Sequence, residues 1–228
     1  MELRKLHRWD VTTAEARSIQ AALARRVRLR PLPRRLTLVA GVDVSFDRAS
    51  GAVFAAVLVF RLPGMELTER ATAREAARFP YVPGLLTFRE GPPVLKAFQK
   101  LVRVPDVVIF DGQGFAHPRR CGLASHMGLW LGVPTVGCAK SRLIGEHAEP
   151  GPRRGDSAPL LDAGEQIGVV LRTRDLVKPV FVSPGHLADF GTSRQAVLDC
   201  GRGCRLPEPT RQAHMAVERL KAERGPAC

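Results

Sequence analysis

Residues 36–60 read LTLVAGVDVSFDRASGAVFAAVLVF, two β-rich runs, Leu36–Phe46 and Ala52–Phe60, joined by the polar stretch Asp47–Gly51. Val, Phe and Ala runs bounded by Asp, Ser and Gly are strand signals. Leu67–Ala77 continues with polar and small residues in turn, so the natural reading is three antiparallel strands in a meander. One residue breaks the apolar pattern: Asp43, inside Val39–Val44. An ionised carboxylate there is costly unless it is paired or binds a cation.

Working outward, residues 12–30 read as an amphipathic helix, with Thr12 and Thr13 as caps and Ala16, Ile19, Leu23 and Val27 at helical spacing. Downstream of a Pro-rich break at Pro80–Gly84, Pro92 and Pro93 mark a helix start, and Val94, Leu95, Phe98 and Leu101 its buried face. Val107–Phe110 is a short, fully apolar strand. Residues 119–131 carry Leu123, Met127 and Leu131 at helical spacing, Gly132 is a stop signal, and Thr135–Val136 begins another strand.

The order βββ, α, β, α, β predicts an α/β fold: an antiparallel meander extended by parallel strands through helical crossovers, with helices covering both faces. A ribonuclease H-like mixed sheet fits this order. The stretch 148–159, rich in Pro, Gly, Arg and Ser, reads as a mobile loop. Gln166–Leu171 and Pro179–Val182 read as a hairpin, and Thr192–Asp199 and Pro209–Arg224 as closing helices. With 228 residues, 45% of them hydrophobic, and no internal repeat, the expectation is a single domain over 1–228. No heptad or large apolar stripe is visible, so a monomer is expected.

The formal charge of +13 suits a polyanionic partner, because each neutralised phosphate releases condensed counterions. Arginine outnumbers lysine 29 to 6, and a GC-rich coding bias explains part of that excess. The start of the chain, Met1-Glu2-Leu3-Arg4, opens on charges without an apolar signal region, and no run is long enough to span a membrane. Cys121, Cys138, Cys200, Cys204 and Cys228 form an odd set without a second close pair for a zinc site, and read as reduced thiols of a cytoplasmic protein.

Several residues are candidates for chemistry. Asp111 closes Val107–Phe110 and precedes Gly112-Gln113-Gly114, at the carboxyl end of a central strand, where open α/β sheets place ligands. First and fourth strands are neighbours in such a sheet, which brings Asp43 and Asp111 together. Glu90, just before Gly91-Pro92-Pro93 at the expected helix start, adds a third oxygen ligand for a hard cation of the Mg²⁺ kind. Taken singly, Asp43 fits a salt bridge to a core Arg, Glu90 a helix cap and Asp111 a turn; the residues alone leave both readings open.

Lys140, in Gly137-Cys138-Ala139-Lys140-Ser141, either stabilises charge on a scissile phosphate or steers phosphate as a surface lysine. His117 and His214 fit substrate binding or water orientation, and equally a packed or surface role. Tyr81, the only tyrosine, lies in Pro80-Tyr81-Val82-Pro83-Gly84, whose prolines stiffen the backbone. A rigid loop with one aromatic suits a wedge that stacks where a base is extruded, or else a plain surface turn.

Together, Gly41-Val42-Asp43-Val44-Ser45, Pro80–Gly84, Leu86-Thr87-Phe88-Arg89-Glu90, Asp111–Gly114 with His117-Pro118-Arg119, Gly128-Leu129 before Gly132-Val133-Pro134, and Gly137–Ser141 resemble the endonuclease V family. The resemblance runs from about Trp9 to the His214 helix, and the shared order of short motifs makes it specific. It implies Mg²⁺, with Mn²⁺ able to substitute, and hydrolysis of the second phosphodiester bond 3′ to deoxyinosine in DNA, leaving a 3′-hydroxyl and a 5′-phosphate. Asp43, Glu90 and Asp111 match the family's metal-binding acids, Lys140 its catalytic lysine, Tyr81 its wedge and His214 a histidine near the metal.

The family's inosine pocket uses largely backbone groups, which maps here onto Pro83, Gly84, Leu86, Gly112, Gln113, Gly114 and His117. Hypoxanthine presents O6 and an N1–H where adenine has an amino donor and an N1 acceptor. A complementary pocket leaves buried groups unpaired when adenine enters. Two departures are visible: Cys138 stands where an aliphatic residue is commoner, and the Arg/Pro/Gly stretch near 150–158 is a local elaboration. Two rivals remain in the sequence, an endoribonuclease acting on inosine in RNA and a silent binder that keeps only the basic groove.

Overall fold

The structure, a computed structural model, describes residue 1 and residues 3–223. Its elements in chain order are α1 (Thr13–Ala24), β1 (Leu38–Asp47), β2 (Ala52–Arg61), β3 (Glu66–Ala76), α2 (Leu86–Gln99), β4 (Val107–Phe110) and α3 (Leu123–Leu131). Then follow β5 (Thr135–Ala139), β6 (Ser157–Asp162), β7 (Glu165–Leu171), β8 (Val180–Pro184), α4 (Phe190–Asp199) and α5 (Glu208–Ala222). The eight strands form one sheet in the order β3-β2-β1-β4-β5-β8-β7-β6. Pairs β1/β4 and β4/β5 are parallel and the remaining pairs antiparallel. This is the mixed ribonuclease H-like sheet that the element order implies, lengthened at one edge by β8, β7 and β6.

Alternation along the strands assigns the faces, because successive side chains point to opposite sides. Ala40 and Val42 of β1 pack with Val108 and Phe110 of β4 against Val94, Leu95 and Phe98 of α2 and Met127 of α3. Val39, Val107, Ile109 and Val136 turn to the other face, toward Ala196 and Val197 of α4. Phe54, Ala56, Leu58 and Phe60 of β2 meet Ala213, Ala216 and Val217 of α5. With helices on both faces, β2 is buried from Ala52 to Phe60, and each fully buried Phe or Leu contributes roughly 2–3 kcal/mol.

Several boundaries differ from the sequence reading. Helix α1 keeps its cap, since Thr12 and Glu15 form a reciprocal capping box, but it ends at Ala24 rather than near residue 30. Beyond it the backbone bonds elsewhere: the N–H of Leu187 donates to the Arg28 carbonyl and that of Arg30 to the Ala188 carbonyl. Helix α2 begins at Leu86, before the two prolines and not at them. Pro92 and Pro93 remove the donors that would reach the Phe88 and Arg89 carbonyls, yet buried Leu85 and Phe88, packed on Phe79 and Ala16, carry the first turns.

The stretch 148–159 is not loop throughout, because Ser157–Pro159 opens β6, which pairs with β7. The rest is tied down by Arg172, whose guanidinium donates to the Gly151 and Pro150 carbonyls and to Glu149. Helix α5 spans Glu208–Ala222; the expected end at Arg224 lies outside the described residues. Cys121, Cys138, Cys200 and Cys204 are free thiols, and Cys228 lies outside the described residues. Among those residues no helix is long and apolar enough to cross a membrane.

Candidate active site

Parallel pairing sets the two central carboxylates side by side. Val42 of β1 stands opposite Phe110 of β4, and the Asp111 N–H donates to the Val42 carbonyl at 3.1 Å. One step further along the register is Asp43 beside Asp111, on strands about 4.8 Å apart. Asp43 is 11% exposed and Asp111 12%. Burial, and then the charge of Asp111, raises the Asp43 carboxyl above its ordinary range, against the pull of His214.

Glu90 reaches the same end of the sheet from α2. Burial, reinforced by the charges of Asp43 and Asp111, pushes its carboxyl up to about 8. The Arg89 guanidinium opposes that shift and lies over the Phe46 ring, 3.7 Å from its centroid. Three carboxylates therefore feel one another's charge.

Two basic groups answer that charge. The Lys140 Nζ, at the end of β5, lies 2.5 Å from Asp111 Oδ2. His214 Nδ1, on α5, lies 2.8 Å from Asp43 Oδ2. The placement of His214 follows from close packing of α5 on β1: a Cβ on Gly41 would fall 2.1 Å from the Pro209 backbone, so only glycine fits. From Gly41 to Asp43 the strand rises about 6.6 Å, and from Pro209 to His214 the helix rises about 7.5 Å. Among the described residues no three His, Cys, Asp or Glu side chains already stand as a ready-made ligand set for one ion.

Beside the carboxylates opens a cleft of about 350 Å³, within the usual range of small-ligand sites. Tyr81, Val82, Pro83, Gly84, Leu86 and Thr87 form one wall. Asp111, Gly112, Gln113 and His117 form the floor, with Lys140–Leu143 opposite. Gly114 lies just behind, its N–H donating to Ser183 Oγ at 2.8 Å. Tyr81 stands 69% exposed at the rim.

Val82–Leu85 is a type II turn: the Leu85 N–H donates to the Val82 carbonyl at 2.9 Å, Pro83 takes the second position, and Gly84 has φ +78°. That turn type demands φ > 0 at its third residue and favours proline before it. The Gly84 carbonyl in turn accepts from His117 Nε2 at 3.0 Å. His117 Nδ1 accepts from the Arg119 N–H at 3.1 Å, which places the ring hydrogen on Nε2.

Burial, and then the nearby Arg119, lowers the His117 pKa to about 4. His186, ringed by Arg4, Arg28, Arg30 and Arg26, is lowered to about 4 chiefly by its own burial. Both values lie below the ordinary 6.5, so between about pH 6.5 and pH 4 the unfolded chain binds the extra protons. The stability from keeping these rings neutral is complete above pH 6.5 and is lost as pH falls through that window. The thermal midpoint is expected to drop between about pH 7.5 and pH 5, on the order of 2 kcal/mol per histidine; a flat profile would contradict the neutral assignment.

Residues 21–215 match the family model described as Endonuclease V. The chain belongs to the endonuclease V family. A curated endonuclease V of Methanothrix thermoacetophila is 48% identical over 225 residues, covering 98% of this chain and 99% of its own. The crystal structure of the Streptomyces avermitilis endonuclease V superposes with a TM-score of 0.91 at 43% identity, covering 95% of this chain and 96% of that one. A Ciona intestinalis endonuclease V carrying D234N, solved with a 23-mer DNA containing an inosine followed by a ribo-adenosine, gives a TM-score of 0.83 at 27% identity, covering 93% and 99%. The ribonuclease H-like fold is thus shared across the endonuclease V structures.

The endonuclease V motifs that carry Asp43, Glu90, Asp111 and Lys140 meet at one end of the sheet, whereas Gly132-Val133-Pro134 leads into β5 at the other end. Two further residues at the site, Ser183 and Gln20, carry no motif, and a third, Arg119, stands in a motif without a role of its own. Ser183 of β8 holds Gly114, as above, and Arg119 reaches the Gly84 carbonyl with Nη2 at 2.9 Å. Gln20, buried on α1, bonds the same carbonyl. A lone Gln on an amphipathic helix and a Ser in a late strand carry no local signal of a site; only the tertiary fold brings them there.

Proposed function

We propose that this chain is a metal-dependent endonuclease that cuts DNA at the second phosphodiester bond 3′ to a deoxyinosine, leaving a 3′-hydroxyl and a 5′-phosphate. The observation that carries this reading is the juxtaposition of Asp43 and Asp111 beside a cleft walled by the Tyr81–Gly84 loop. The Ciona relative's complex with a DNA containing an inosine followed by a ribo-adenosine supports an inosine-containing strand as the ligand, and the charge of +13 suits DNA or RNA.

The donor set fits a hard dication. Asp43, Asp111 and Glu90 supply only carboxylate oxygens, as Mg²⁺ prefers, and the carboxyls of Asp43 and Glu90, raised by burial and then by neighbouring acids, are a cost that a cation would relieve. These three residues would hold Mg²⁺, with Mn²⁺ able to substitute; when bound, it neutralises their charge and withdraws electrons from the phosphate. Lys140 then presents its ammonium to a phosphate oxygen and stabilises the charge that develops in the transition state. His214, oriented by Asp43, positions or deprotonates the attacking water. Water attacks phosphorus as the bond to the 3′ oxygen breaks, and that oxygen leaves as the 3′-hydroxyl.

Recognition precedes the cut. Tyr81 stacks into the gap left by the extruded base, and hypoxanthine enters the cleft formed by Pro83, Gly84, Leu86, Gly112, Gln113, Gly114 and His117. Neutral His117 keeps its Nε2–H committed to Gly84, so backbone groups read the base edge. The test is cleavage of a strand carrying one deoxyinosine beside matched undamaged and ribo-inosine strands; preference for the ribo-inosine strand would overturn the DNA assignment.

A further inference from the structure

Gln20 lies on α1, far in sequence from the cleft, and is 1% exposed. Its Nε2 donates to the Gly84 carbonyl at 3.0 Å and to the Cys121 carbonyl at 2.6 Å, while its Oε1 accepts from Arg119 Nε. Two carbonyls on one side and a guanidinium on the other admit only this orientation of the amide. Both donors and one lone pair of a buried side chain are thus spent on joining the wedge loop to the loop after β4.

Three donors converge on the Gly84 carbonyl: Gln20 Nε2, His117 Nε2 and Arg119 Nη2. Three residues earlier, Tyr81 is open to solvent. The loop therefore has one immobilised end and one free aromatic. Pro83 followed by Gly84 at φ +78° sets the turn type; what the three donors set is the place of the Gly84–Leu85 peptide, to which the anchored carbonyl belongs.

We propose that Gln20 is a positioning residue for lesion recognition: its buried amide ties the Gly84 carbonyl to the loop after β4 and so fixes the position of the backbone groups and the wedge that inspect the base. This rests on reading the cleft as an inosine pocket. Loss of the Gln20 donor removes one of the three bonds that hold the Gly84 carbonyl and lets the loop shift against the edge of hypoxanthine.

The experiment uses full-length protein labelled with 3-fluorotyrosine, which places a single fluorine probe on the loop because Tyr81 is the only tyrosine. Gln20→Glu keeps the size and the Arg119 acceptor but removes the donor; Arg119→Met removes a second donor from a partly exposed site. Each is expected to lower the preference for deoxyinosine over undamaged DNA about tenfold in kcat/KM, with the loss in KM rather than kcat. Each is also expected to broaden or double the fluorine line. A folded variant with unchanged preference and an unchanged line would overturn the proposal. If the wild type itself shows no preference, the pocket reading falls instead, and the fluorine line alone decides whether Gln20 anchors the loop.

Discussion

Asp43→Asn is expected to lower strand cleavage by at least about a thousandfold while leaving affinity for the inosine strand largely intact. The isosteric amide still accepts from His214, so geometry survives and only the charge is lost. The same substitution is expected to stabilise the metal-free protein. The Asp43 carboxyl is raised by burial and by Asp111, so its ionised form at neutral pH costs stability that the amide does not. A rise of the thermal midpoint is therefore anticipated in EDTA. Cleavage, filter binding and thermal unfolding on one preparation check all three; full activity, or a fallen midpoint, would contradict the role of Asp43.

Lys140→Met is expected to reduce kcat by about a hundred- to a thousandfold with a smaller change in KM. Lys140 is half exposed, and an ion pair so open to water contributes little to folding, about 0–1 kcal/mol. Activity and stability should therefore separate: the thermal midpoint stays near that of the wild type while turnover collapses. Lys140→Arg is not expected to restore turnover, because a planar guanidinium does not replace a compact ammonium held against Asp111. A raised KM with kcat intact would instead make Lys140 a phosphate-steering residue.

Much of this was legible in the sequence, for reasons that differ by residue. Val107–Phe110 is apolar on both faces because helices cover both sides of the sheet, and a strand so buried shows itself as a continuous run. Asp43 was conspicuous because the same burial makes a carboxylate costly there. Strand β6 was missed because Pro159 falls inside it; proline argues against a strand except at an edge, and β6 is the edge strand. The start of α2 was misplaced because Pro92 and Pro93 imitate a first turn, whereas tertiary packing of Leu85 and Phe88 decides.

At the site itself, residues whose chemistry is unusual for their setting could be read: acids in apolar strands and one tyrosine between prolines. Gln20 and Ser183 could not, because their importance lies in partners 64 and 69 residues away. The approach of α5 to Gly41 was equally invisible, although it is what brings His214 to Asp43.

The most direct test of the central claim is cleavage of an end-labelled DNA strand carrying a single deoxyinosine, with Mg²⁺ and with EDTA, beside an undamaged control. The expected result is a nick immediately after the 3′ neighbour of the lesion, present with Mg²⁺ and absent with EDTA. Equal cutting of the control, or a nick that persists in EDTA, would contradict it.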